Sequence, residues 1–151
     1  MKKLIAASVL AMGMMTTAAT ADVKVGLGYA AGSSAAKEAP GVRVPIDFDF
    51  GLRLEPELGF GTDVFTLAFG AYYTFMKIDE VNLFAGGRFG YTSHSGGNNR
   101  TGTTLQGLVG AEYFVVPNKF SVAAQVGLEA AGGDLNDNFG TTGAVIGHFF
   151  F

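Results

Sequence analysis

The sequence predicts an all-β fold, an eight-stranded antiparallel up-and-down transmembrane β-barrel, on three observations. Residues 42–60 alternate without a break between apolar and other side chains, and a period of two indicates β-strands. Turn-forming residues divide residues 22–151 into segments that fit eight strands. No apolar stretch after residue 21 is long enough for a spanning helix, so a membrane form of this chain must cross as strands.

The first 21 residues have the plan of a secretory signal peptide. Lys2 and Lys3 are followed by a mainly apolar stretch, residues 4–15, and by small residues that end in Ala19, Thr20 and Ala21. A membrane anchor would need about 20 apolar residues, so the stretch is too short to span. We expect cleavage before Asp22, which leaves one domain, residues 22–151.

Composition restricts the class of protein. Removal of Lys2 and Lys3 leaves 8 basic and 13 acidic residues, a net charge of −5 with no basic cluster, which argues against a nucleic-acid partner. Cysteine is absent, so an exported chain of this size must be stabilised by its core, by closure of a sheet or by a membrane. Charged residues make up 15% of the chain, against about 25% in soluble domains.

The strands are assigned in order along the chain. The region 42–61 is too long for one spanning strand of about 10 residues, so we divide it at a tight turn near residues 49–51. A three-residue turn keeps the parity of the pattern, which explains the unbroken alternation. The eight predicted strands are 22–32, 42–48, 52–61, 64–76, 81–92, 103–116, 119–131 and 142–151.

Connection lengths give the orientation of the barrel. The tight turns would lie at one end together with both termini, and the longer connections at the other end. Residues 33–41, 62–63, 93–102 and 132–141 would then form the exposed loops.

Residue size indicates which face meets lipid. One face of each segment is apolar and holds most of the large aromatic side chains, whereas the other face has charges and many small residues such as Gly28, Gly70 and Gly110. An eight-stranded barrel is only just wide enough for side chains inside, so the small and charged face should point inward. An Arg or Lys on the lipid face near the midplane costs about 2–4 kcal/mol, which favours the same orientation.

The inward charges form the predicted functional network. Buried charges are costly unless paired, so we expect cations and carboxylates to meet across the narrow interior. The members are Lys24, Arg43, Asp47, Arg53, Glu55, Glu57, Arg88, Glu112 and Glu129. We expect these pairs to plug the barrel, and a narrow ion or small-solute channel is the alternative.

The chain resembles the small eight-stranded outer-membrane barrels of Gram-negative bacteria, the OmpA/OmpX-like group. The resemblance covers residues 22–151 and is sharpest in the last strand, where Val145, Phe149 and Phe151 occupy alternate positions that end in a terminal aromatic. It implies an outer-membrane location, contact with lipopolysaccharide, and recognition of the last strand by the barrel-assembly machinery. Trp is absent and the loops are short, and Pro45 and Pro56 lie within strands, where we expect a bulge.

Catalysis and metal binding have little support in the sequence. His94 and Ser95 are adjacent on a loop, where their side chains point apart, and a nucleophile needs its base within hydrogen-bond reach. The loop from Asp134 to Asn138 has calcium-like spacing but Phe139 replaces the required glycine. His148 is expected to be an interior, hydrogen-bonded histidine. No catalytic residue, cofactor or metal is predicted.

The sequence therefore predicts a monomeric outer-membrane barrel with a structural or surface-interaction function, in which the exposed loops would meet a surface ligand. Three alternatives remain open: the narrow channel, a soluble periplasmic barrel that binds an apolar ligand, and a lipid-modifying enzyme.

Overall fold

The computed structural model describes residues 23–33, 38–96, 100–134 and 138–151. The predicted signal peptide and its cleavage residues Ala19, Ala21 and Asp22 lie outside the described residues. The strands are β1 (Val23–Ser33), β2 (Gly41–Arg43), β3 (Ile46–Phe48), β4 (Leu52–Phe60), β5 (Val64–Ile78), β6 (Val81–His94), β7 (Arg100–Val116), β8 (Phe120–Gly133) and β9 (Asn138–Phe150). No helix among these residues is long and apolar enough to cross a membrane.

The strands form one closed antiparallel barrel. Each strand from β4 to β9 pairs with its neighbour in sequence, and β9 pairs with β1. Strands β2 and β3 both lie between β1 and β4, so they are two parts of one barrel strand. The barrel therefore has eight strands, as the sequence predicts.

The tight turn predicted after the second barrel strand is present. The Gly51 amide donates to the Phe48 carbonyl at 3.0 Å, and Gly51 has a φ of 91°, a conformation that glycine adopts without a Cβ penalty. The turn returns the chain antiparallel, so that Asp47 faces Arg53.

The bulge expected at the strand prolines does not form. Pro45 separates β2 from β3, but the pairing with β1 and β4 has the same register on both sides of the gap. The Pro45 carbonyl accepts from the Gly26 amide at 2.9 Å, and the Pro56 carbonyl accepts from the Val44 amide at 3.0 Å, which holds the gap closed. The register shifts lie between Thr74 and Met76 and at the end of β7.

Several strands extend beyond their predicted ends at the loop side. Ser93 pairs with Thr101 and His94 with Arg100, so the β6–β7 hairpin continues into the region predicted as loop. Strands β8 and β9 likewise continue to Gly133 and from Asn138. Backbone pairing needs no apolar side chain, so the alternation ends before the strands do.

The outer surface of the barrel is apolar, and polar and charged side chains are buried in its interior. Leu105, Val109 and Val126 are each more than half exposed, whereas the inward neighbours Gln106 and Gln125 are buried. Large apolar side chains are exposed on every long strand, and Val42 shows the same outward orientation on β2.

The interior also contains large apolar side chains. Tyr72 and Phe84 meet edge to face with ring centroids 5.6 Å apart, and they pack in a buried cluster with Ala30, Leu108, Ala123 and Ile146. A Cβ built on Gly110 would lie 2.4 Å from the Phe84 ring. The inward glycines thus provide space for the aromatic side chains of neighbouring strands.

Candidate functional site: a chain of buried charges inside the barrel

The candidate site is formed by residues at alternate positions of the strands, whose side chains point into the barrel. Inward positions on β2, β4, β6, β7 and β9 bring charged side chains from different strands into the same narrow space. Arg43, Glu55, Glu57, Arg88 and Glu112 are each at most 4% exposed. Ions removed from water in this way need close partners of opposite charge.

The half of the network nearer the loops contains two arginines between three carboxylates. Arg88 lies 2.7 Å from Glu38 and 2.9 Å from Glu57. Arg43 lies 3.0 Å from Glu57 and 2.7 Å from Glu55. Each guanidinium thus bridges two carboxylates, and Glu57 is shared by both arginines.

The half nearer the turns continues through His148. Its Nε2 lies 3.3 Å from Glu55 and its Nδ1 lies 3.0 Å from Glu112. Nε2 is close enough to Glu55 for an ion pair but lacks hydrogen-bond geometry. Nδ1 is hydrogen-bonded to Glu112. Glu112 also accepts from Arg53 at 2.8 Å, and Arg53 ends the chain in a bidentate pair with Asp47.

Basic and acidic groups therefore alternate through the interior without interruption. The order from the loop side to the turn side is Glu38, Arg88, Glu57, Arg43, Glu55, His148, Glu112, Arg53 and Asp47. We call this set the charge chain. Arginine does not lose its proton in proteins, so the three guanidinium groups interrupt any continuous transfer of protons along the chain.

Two members of the predicted network lie apart from the charge chain. Lys24 is exposed at the turn end, where its ammonium group donates to the Asn118 side chain rather than to an interior carboxylate. Glu129 is buried and accepts from Gln106 at 2.6 Å. The other predicted members, Arg43, Asp47, Arg53, Glu55, Glu57, Arg88 and Glu112, all belong to the charge chain.

Sequence analysis missed Glu38 because it lies in a predicted loop and follows no alternating pattern. It also missed Ser121, which donates to Glu112 at 2.6 Å, because a small hydroxyl residue on an inward face gives no distinct signal. His148 was expected to be an interior histidine, but its two carboxylate partners could not be read from the sequence.

The C-terminal strand has two distinct faces. Val145, Phe149 and Phe151 point outward and are half or more exposed. Phe150 points inward, 5.9 Å from the Phe114 ring and 5.6 Å below the Arg53 guanidinium. The last strand therefore contributes one aromatic residue to the interior at the turn end.

An open cavity of about 750 Å³ lies at the turn end of the barrel. Its lining carries charges of both signs, including Lys24, Lys77, Asp49 and Asp79, and it reaches Arg53. A second cavity of about 30 Å³ lies at the loop end, between Glu38, Arg88 and Gln125.

The loop residues considered for catalysis and metal binding make other contacts. The Ser95 hydroxyl lies 3.5 Å from the Asp63 carbonyl, and the Asp134 carboxylate accepts from the Thr101 amide at 3.3 Å. No group of three or more His, Cys, Asp or Glu side chains within the described ranges has the arrangement of a metal site. Asn136 and Asp137 of the proposed calcium-like spacing lie outside those ranges.

Among the comparisons with known proteins, the one with solved structures bears on the fold. No family model matches the sequence. No curated protein matches it either. Among solved structures, the crystal structure of Neisserial surface protein A (NspA) is similar, with a TM-score of 0.53 and 19% sequence identity over 85% of this chain and 94% of that chain. A likeness at this level of identity indicates a shared eight-stranded barrel fold.

Proposed function

We propose that the chain is an integral outer-membrane β-barrel protein, with a structural or surface-interaction role and an interior closed by charged pairs. The observation that carries this proposal is the outward apolar surface around a charged interior. Leu105 and Val126 are each more than 60% exposed in the middle of long strands. Exposed apolar patches of this extent mark a contact with a membrane or another apolar partner.

The same reasoning supports a transmembrane orientation rather than a soluble barrel. A soluble periplasmic barrel that binds an apolar ligand would need its apolar face inside, whereas here the charge chain lies inside. Each of the described strands has a paired neighbour on both sides, and this closure is what a membrane-spanning sheet requires.

We further propose membership of the OmpA/OmpX-like group, export through a cleaved signal peptide, and a monomeric state in contact with lipopolysaccharide. The likeness to NspA, which is named as a surface protein, supports a role at the cell surface. The outward positions of Val145, Phe149 and Phe151 support a role of this strand in recognition by the barrel-assembly machinery. Four connections would meet any surface ligand, and no catalytic role is proposed.

Membrane fractionation with a heat-modifiability gel tests location and fold together. We expect an unboiled band of altered mobility in the outer-membrane fraction for the full chain, and loss of that band when Phe151 is deleted, because Phe151 belongs to the proposed assembly signal with Val145 and Phe149. The matched control is a Phe50→Ala variant, which also loses an aromatic side chain but keeps the C-terminus. A protein free in the periplasm with unchanged mobility would contradict the proposal.

The alternative of a narrow channel needs its own test. The 750 Å³ cavity enters the barrel from the turn end and reaches Arg53. Beyond Arg53, the paired side chains of the charge chain and the Tyr72–Phe84 contact fill the interior. We therefore expect no single-channel conductance in planar bilayers. Conductance that changes in Arg53→Gln or Glu57→Gln variants would favour the channel instead.

A further inference from the structure

Glu38 belongs to no strand, yet its carboxylate lies inside the barrel. One carboxylate oxygen accepts from the Arg88 guanidinium at 2.7 Å, and the other accepts from the Thr104 hydroxyl at 2.7 Å. Gln106 Nε2 lies 3.5 Å from the first oxygen. Three donors from the barrel wall thus converge on one carboxylate that comes from a connection between strands.

These donors form a compact unit on two neighbouring strands. Arg88 and Gly90 are consecutive inward residues of β6, and their register partners on β7 are Gln106 and Thr104. The three donor side chains are buried, so their polar groups would lose hydrogen bonds if no ligand were present. We call these four residues the carboxylate cradle.

Gly90 provides the space in which the carboxylate sits. A Cβ built on Gly90 would lie 2.8 Å from a Glu38 carboxylate oxygen and 2.5 Å from the Thr104 hydroxyl oxygen. A side chain at this position would fill the cradle. The missing side chain of Gly90 therefore shapes the site, and this observation is independent of the three donors.

Residues 38–40, which we call the strap, cover the cradle. The Ala39 amide donates to the Thr66 hydroxyl at 3.3 Å, and the Pro40 carbonyl accepts from the Phe60 amide at 3.3 Å. The 30 Å³ cavity beside the strap is lined by Gln125, whose Oε1 has no hydrogen-bond partner among the described residues. The site thus has a polar group and a small volume that Glu38 does not use.

We propose that Arg88, Gly90, Thr104 and Gln106 form a carboxylate-binding site that Glu38 occupies in cis, so that the strap excludes a carboxylate ligand from the loop end of the barrel. The inference rests on the fold and the contacts alone and does not depend on the membrane assignment. Its ligand class is an anion with a planar, two-oxygen head, because two different donors bind the two oxygens of Glu38.

The position of the site in the charge chain supports an anion as its ligand. Glu38 is the terminal carboxylate of the alternating order. Without it, Arg88 loses the Glu38 carboxylate and keeps Glu57, which is also shared with Arg43. The Arg88 guanidinium and the Thr104 hydroxyl would then each lose the acceptor that Glu38 supplies, and an anion from solution could replace it.

Chemical rescue with acetate tests the site. The Glu38→Ala variant removes a carboxylate and one further carbon, and acetate contains the same groups. We expect a lower unfolding temperature for the variant in a heat-modifiability assay. Acetate should raise that temperature in a saturable way, whereas chloride at the same ionic strength should not. If the variant does not fold, the refolding yield with acetate against chloride replaces the unfolding temperature as the readout.

Two further variants serve as controls. Glu38→Gln keeps the shape of the side chain in the cradle, so acetate should have no effect on it. Adding Thr104→Val to Glu38→Ala removes one donor without changing size, so rescue should need a higher acetate concentration. The proposal is overturned if acetate and chloride act equally, if the wild type responds as strongly as Glu38→Ala, if Thr104→Val changes nothing, or if no rescue occurs.

Discussion

Individual charges in the interior are stabilised by having partners on two sides. Arg43 contacts Glu55 and Glu57, and Arg53 contacts Asp47 and Glu112. Pairing of this kind offsets the cost of removing ions from water, and loss of one member exposes the others to that cost. The stability of the barrel should therefore be far more sensitive to one buried cation than to an exposed one.

Arg53→Met should destabilise the barrel strongly. The substitution leaves Glu112 and Asp47 without their guanidinium partner, and breaking a buried pair in this way costs about 3–5 kcal/mol. Urea unfolding in lipid vesicles measures the free energy of unfolding. Lys24→Met is the matched control, because Lys24 is exposed and its ammonium group donates to the Asn118 side chain, and the substitution should leave the midpoint nearly unchanged. Equal effects of the two substitutions would contradict the importance of the charge chain.

Glycine positions allow a second comparison between two faces of the barrel. A Cβ on Gly28 would lie 2.4 Å from the His148 ring, which Glu55 and Glu112 hold in place, so Gly28→Ala should cost about 1–3 kcal/mol through overpacking. A Cβ on the outward Gly107 would meet nothing within 4 Å, so Gly107→Ala should be tolerated. Thermal unfolding of the two variants measures the difference, and equal unfolding temperatures would show that His148 is not held rigidly.

Among the strands, period-two alternation predicted the number and the order correctly, because both follow from side chains that alternate between the two faces of a sheet. The ends of β6 and β7 were missed because Ser93 and Thr101 pair through their backbones in a polar stretch. The strap was missed for a related reason. Glu38 enters the barrel from a connection, and no periodicity links a loop residue to Arg88 or Thr104.

The interrupted barrel strand should open locally before the rest. Strands β2 and β3 each pair with β1 over three residues, whereas β6 and β7 pair over fourteen. Local opening breaks fewer hydrogen bonds there, so amides of β2 and β3 should exchange with deuterium faster than those of β6 and β7. Hydrogen exchange followed by mass spectrometry measures this difference. Equal protection of both regions would mean that the bonds across Pro45 restore full cooperativity.

In the whole barrel, the interior has a charged part and an apolar part. The charge chain fills one part of the interior, and the cluster around Tyr72, Phe84 and Ile146 fills another. Both parts are surrounded by a wall whose outer surface is apolar. This distribution is the reverse of a water-soluble domain, and it is what a barrel in lipid requires.

The orientation of the outer surface is tested by a single tryptophan. The chain contains no tryptophan, so Val109→Trp places a unique fluorophore on the exposed face of β7. In vesicles made with brominated lipid we expect strong quenching of this residue, and little quenching of Thr62→Trp in the connection between β4 and β5. Absence of quenching at Val109, with emission typical of water, would contradict a lipid-facing outer surface and with it the proposed membrane barrel.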